Sequence, residues 1–181
     1  MTENSKIYVG FALNTAVRIN DLEPSIVGSP SYWVDVLRRI DGHADFVTLE
    51  DHFGTASGGL DAFLLANYLA PLVQNTGLIA GAVLNYNEPF HISTTIATLD
   101  YITNGRAGLL VQRLTAQDAS CATLALGQLN GFPSTNAVDL AEDALDSVQV
   151  IRQLWDSWED DAIIRDAVSQ RYIDGKTLHY N

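Results

Sequence analysis

The sequence carries one cysteine, Cys121, and one methionine in 181 residues. A lone thiol excludes an internal disulfide framework and a cysteine-rich metal centre. Cations are scarce too: 10 Lys and Arg stand against 22 Asp and Glu, for a formal net charge of -12. That balance argues against a phosphate-backbone partner, which needs clustered positive charge. It argues equally against docking on an anionic membrane surface. No apolar run reaches the ~18–20 residues of a membrane span. The opening "MTENSKIYVGF" lacks the basic region and long apolar core of a signal peptide. Together these absences predict a cytoplasmic setting, with neither nucleic acid nor membrane as partner. Familiar signatures are also missing: there is no GxGxxG, GxxxxGK[ST], HExxH or GxSxG. Histidines at 43, 52, 91 and 179 do not have metal-ligand spacing on a helix, so no metal site is expected.

What is present is a globular composition, with 47% hydrophobic residues, in a chain long enough for one domain spanning 1–181. Four short apolar runs read as strands: "IYVGFAL" from Ile7, "FVTLE" from Phe46, "GLIAGAVL" from Gly77 and "AGLLVQ" from Ala107. They lack polar–apolar alternation, which predicts a sheet covered on both faces. Helical patterns separate them. Ser29-Pro30 opens the first, which stops at Gly42. The second lies in "GLDAFLLANYLAPLVQNTG", with Pro71 kinking its last turn. The third runs from Pro89 to about Tyr101 and stops at Asn104-Gly105. The fourth begins near Asp139 and carries Leu140, Ala144, Leu145, Val148 and Ile151 along one stripe. Residues 115–135 show no clear period and read as a long loop; the tail reads as a hairpin around Asp174-Gly175. The order βαβαβαβα, at βαβ spacing, predicts an α/β fold with a parallel sheet and helices outside it.

Ligands of parallel α/β folds bind beyond the carboxyl ends of the strands. That rule selects Asn14, then Glu50-Asp51-His52, then Asn85-Tyr86-Asn87-Glu88, then Gln112-Arg113. Each has a plain structural alternative. Asn85 and Asn87 would serve as helix caps, and Asp51 as a cap or ion-pair partner. His91, in a first helical turn, would be a packed or solvated side chain, and Arg113 would pair with nearby acids. His52 stands beside two carboxylates at a strand end, where its charge is easily tuned.

The segment "EPFHISTTIATLDYITNGRAG" resembles the stretch after the third strand in bacterial-luciferase-like, flavin-dependent monooxygenases. The likeness is to the branch with the nitrilotriacetate, alkanesulfonate and dibenzothiophene-sulfone enzymes. "DFVTLED" from Asp45, "GLDAFLLANYLAPLVQNTGLIAG" from Gly59 and "IRQLWDSWEDDAIIRD" from Ile151 are similar to that branch in order and spacing. The resemblance implies a TIM-type (β/α) barrel, truncated here to about four βα units. It implies an oxygenase that uses reduced FMN and O2 on a small organic substrate, with the flavin supplied by a separate reductase. Asp51, Asn85 and Gln112 are the implied cofactor contacts, and His52 and His91 the candidate catalytic residues.

The same comparison shows departures. The family's phosphate grip comes from later loops, and Leu109-Leu110 stands where many relatives have Trp-Asn. A half-barrel exposes a sheet edge, so a homodimer or a complementing C-terminal half is expected. A non-catalytic flavin binder and an inactive front-half remnant stay open beside the enzyme, as does a deazaflavin in place of FMN.

Overall fold

A computed structural model of the chain describes residues 6–16, 24–53, 59–128, 130–131 and 134–179. Four strands, β1 (Gly10–Leu13), β2 (Phe46–Leu49), β3 (Gly77–Val83) and β4 (Ala107–Gln112), form one parallel sheet in the order β1-β2-β3-β4. Each new strand joins the edge left by its predecessor, as repeated βα units require. The helices are α1 (Pro24–Val27), α2 (Pro30–Ile40), α3 (Ala62–Leu69), α4 (Pro89–Thr103), α5 (Ala116–Leu126) and α6 (Ala137–Asp156). A small antiparallel pair, β5 (Ile163–Asp166) and β6 (Arg171–Ile173), follows.

Alternation along the strands decides which residues make the core. Val47, Leu49, Leu78 and Ala80 point one way and are fully buried against Trp33 and Leu37 of α2, Leu65, Ala66 and Leu69 of α3, and Leu99 of α4. Phe46, Thr48, Gly77 and Ile79 alternate with them and are only half-buried. The expectation of a sheet covered on both faces is therefore corrected. One face is closed by helices; on the other, cover comes from within the sheet. Phe46 lies over Gly10, where a Cβ would overlap its ring, and Ile79 lies over Gly108, 3.1 Å from where a Cβ would stand.

α6 packs along α4, with Trp155 Nε1 donating to the Ser93 carbonyl at 3.2 Å. Ile92, Ala144 and Ile151 fill the seam with Ala82 and Leu84. At the amino end of the sheet, the Asp41 carboxylate accepts the consecutive N–H groups of Gln74, Asn75 and Thr76 at 3.0, 2.9 and 2.9 Å. Burial raises the Asp41 pKa, but these donors outweigh it and leave the carboxyl below its ordinary value.

Three further expectations need correction. Residues 115–135 are not one loop, because α5 occupies 116–126, capped by Thr115, whose hydroxyl accepts the Asp118 N–H at 3.1 Å. Its buried side chains, Ala119 and Ala122, are too small to print an apolar stripe on the sequence. The hairpin turns at 167–170, where the Asp166 carboxylate accepts the Val168 and Ser169 N–H groups, and not at Asp174-Gly175. Finally, Pro71 does not kink a long helix: α3 ends at Leu69 and a 3-10 turn over Ala70–Leu72 takes the proline. The stop at Asn104-Gly105 is as expected, with φ of 53° and 79° at the two residues.

Candidate functional site

The carboxyl ends of β2 and β3 open into a cleft of about 490 Å³. Its apolar lining includes Phe63 and Leu64 of α3 and Ile92 of α4, and its polar lining Asp51, His52, Asn87, Glu88 and His91. Among the described lining residues there is no Lys or Arg. Nor do the described residues contain a group of three His, Cys, Asp or Glu able to hold a metal ion.

Asp51 lies two residues beyond Leu49, the last residue of β2, and its side chain bonds the end of the neighbouring strand. Oδ2 accepts the Val83 N–H at 3.0 Å, and Oδ1 accepts the Phe53 N–H at 3.3 Å. Burial pushes its pKa up; these donors pull against that, and the Asp61 carboxylate adds to the rise. Asp61 itself caps α3, with Oδ1 accepting the Leu64 N–H at 2.8 Å. Across β1, Asn14 Oδ1 accepts the Ala16 N–H at 2.8 Å and lies 3.0 Å from His52 Nε2, which fixes the imidazole at the rim. His91 stands on the first turn of α4, exposed on the side that faces the cleft.

The structure thus brings Asp51, His52 and His91 to one cleft and does not bring Asn85 or Gln112 to it. Asn85 is fully buried. Its Oδ1 accepts the Leu114 N–H at 2.9 Å, and its Nδ2 donates to the Leu140 carbonyl at 2.9 Å and to Asp143 Oδ2 at 2.8 Å. Neither Asn85 nor Asn87 caps α4; Glu88 holds that position without a side-chain cap bond, and Asn87 Nδ2 donates to the Val83 carbonyl. Gln112 turns to the main chain of Asp51. Arg113 is exposed and lines a separate groove against α6. Sequence reasoning did not single out Asp61 and Phe63, which also line the cleft. Asp61 left a signal, as an N-cap residue directly before an apolar helical run.

Residues 10–168 match the family described as luciferase-like monooxygenase. The chain belongs to that family. Among its curated relatives, the N-acetyl-S-(2-succino)cysteine monooxygenase of Bacillus subtilis is 34% identical over 119 residues, which are 66% of this chain and 26% of that protein. Nitrilotriacetate monooxygenase component A of Aminobacter aminovorans is 28% identical over 186 residues, covering 90% of this chain and 39% of its own length. The chain therefore spans well under half of the family members it matches. Solved structures agree on the fold. A riboflavin lyase crystallised with modified FMN and riboflavin superposes with a TM-score of 0.79 at 22% identity, over 97% of this chain and 43% of the lyase. A long-chain alkane monooxygenase gives 0.74 at 18% identity, over 97% and 45%. The four parallel βα units seen here superpose on part of the TIM-type fold of those solved structures.

Proposed function

We propose that this chain carries the flavin-ring site of a monooxygenase that uses reduced FMN and O2 to oxygenate a small organic substrate. The observation that carries the reading is the cleft itself: Asp51, His52 and His91 beside apolar Phe63, Leu64 and Ile92, beyond the carboxyl ends of β2 and β3. Its volume lies in the range of small-molecule sites. An isoalloxazine suits it, being a flat apolar body with N–H and C=O groups along one edge. The absence of Lys and Arg among the described lining residues suits the ring and not the phosphate.

In this reading Phe63, Leu64 and Ile92 pack the ring and keep water from its face, and Asp51 and Asn87 meet its polar edge. His52, held by Asn14, and His91 move protons to and from the substrate. Reduced FMN supplies the electrons that activate O2, and a separate flavin reductase, together with a substrate that enters the same cleft, completes the system. Component A in the name of one relative supports such a division of labour. The exposed edges of β1 and β4 and the half-covered sheet face support completion by a second copy of the chain or by a complementing half.

A non-catalytic flavin-binding role is the second reading, favoured by the lack of Lys and Arg in the described cleft lining. A deazaflavin is compatible with the same ring site, and one solved structural neighbour is a coenzyme F420-dependent reductase. The test is binding of FMN, reduced FMN and riboflavin to the purified chain by fluorescence quenching. Oxygen consumption is then followed with a flavin reductase and NADH present, and the mass in solution is recorded. Binding that weakens in Asp51→Ala, with O2 uptake that departs from that of reductase, NADH and FMN without the chain, supports the oxygenase. Binding with O2 uptake unchanged from that control selects the second reading, and no binding by a folded chain overturns both.

A further inference from the structure

β3 lies between β2 and β4, so a side chain on β4 reaches the end of β2 only by crossing β3. Gln112 makes that crossing. Its Oε1 accepts the Asp51 N–H at 2.8 Å, and its Nε2 donates to the Asp51 carbonyl at 3.4 Å. The crossing point is Gly81. A Cβ there would overlap Gln112 Oε1 and stand 2.7 Å from the Leu49 carbonyl oxygen and 2.8 Å from the Asp51 nitrogen. Gly81 sits inside β3 with ordinary strand backbone, so what requires glycine is space and not a left-handed conformation.

We propose that Gln112 is a positioning residue that, passing over Gly81, holds the main chain of Asp51 and so fixes where the Asp51 carboxylate stands in the cleft. The other tethers of Asp51 complete the device. Val83 and Phe53 N–H groups hold the carboxylate, while Gln112 holds the backbone at its N–H and C=O. Gln112 is itself outside the cleft lining, so it acts on a bound molecule through Asp51. This deepens the flavin-ring reading and rests on it only for the binding arm of the test.

Gln112→Met keeps the length of the side chain and removes both hydrogen bonds. Three quantities are read: hydrogen exchange of the Asp51 amide, titration of the Asp51 carboxyl by carbon NMR, and affinity for riboflavin as a neutral probe. The titratable groups around Asp51 are Asp61 beside it and His52, Glu88 and His91 on the rim, and all stay in place in the variant. The expected result is faster Asp51 exchange, a carboxyl titration that falls back towards the ordinary value, and riboflavin binding about tenfold weaker. In the Met background Asp51→Asn then weakens binding no further. Unchanged Asp51 exchange and titration in Gln112→Met overturn the proposal. If the variant does not fold, the parent chain decides: an Asp51 amide that exchanges as fast as an exposed loop amide overturns the proposal, and a protected one supports it. Absence of riboflavin binding by the parent chain removes the flavin reading while the exchange and titration still judge the positioning role.

Discussion

The side-chain oxygen of Asn85 accepts the backbone N–H of Leu114 at 2.9 Å, joining the end of β3 to the segment that follows β4. The same carboxamide donates to the Leu140 carbonyl and to Asp143 on α6, so one fully buried side chain ties three elements together. Asn85→Ala leaves a buried N–H and a buried carbonyl without their partner. The expected loss is about 3 kcal/mol. In a chain of this size that is a fall in Tm of roughly 6–12 °C, read by thermal denaturation. Asn85→Asp should be no better, because it turns an acceptor towards Leu140 O and a charge towards Asp143.

The pH dependence of stability has a clear sign at Asp41. Its pKa is lowered in the folded chain, so its contribution is complete above the ordinary value of 3.8 and is lost as pH falls through the lowered value. Asp41→Asn keeps one acceptor and loses the charge-assisted bonds to consecutive amides, costing on the order of 2 kcal/mol near neutrality. Urea unfolding at a series of pH values should show the variant and parent converging as the acid limb is reached.

Asp51 carries the opposite sign. Its carboxyl titrates above the ordinary value of 3.8, so its contribution is complete below that value and declines as pH rises through the raised one. Asp51→Asn should therefore compare best with the parent at neutral pH and worst in acid. The check is the difference in unfolding free energy between the two proteins, followed from acid to neutral. A constant difference would contradict the assignment.

Leu99 of α4 is fully buried in the seam between the sheet and the helices. Leu99→Ala should cost about 2–5 kcal/mol through lost burial and the cavity left behind. Tyr101, on the same helix and 86% exposed, gives the control: Tyr101→Ala should change stability by roughly 0.5 kcal/mol or less. Denaturant midpoints of the two variants measure the contrast.

These side chains show which parts of the molecule the sequence discloses. Strands and the larger helices are written in local signals: apolar runs, Ser29-Pro30 at the start of α2, Asn104-Gly105 at the end of α4. α5 escaped because alanine packs without leaving a hydrophobic stripe. The rule about strand ends selected Asp51 and His52, and both line a cleft, as does the motif histidine His91. It did not foresee that Asn85 turns inward, since its partners lie 29, 55 and 58 residues away in sequence. Nor did it foresee that Gln112 reaches back 61 residues to Asp51. Position along a strand fixes which end a residue occupies; which atoms claim its side chain depends on neighbours that only folding supplies.

The absence of Lys and Arg among the described lining residues of the cleft, in a chain of net charge -12, bears on how fast a charged flavin would arrive. On the flavin-ring reading proposed above, the phosphate of FMN approaches a field of its own sign, so encounter is slowed. Raising ionic strength from about 0.01 to 0.15 M shortens the screening length from roughly 30 to 8 Å. Association with FMN should quicken over that interval, while neutral riboflavin, which feels no such field, should arrive at one rate throughout.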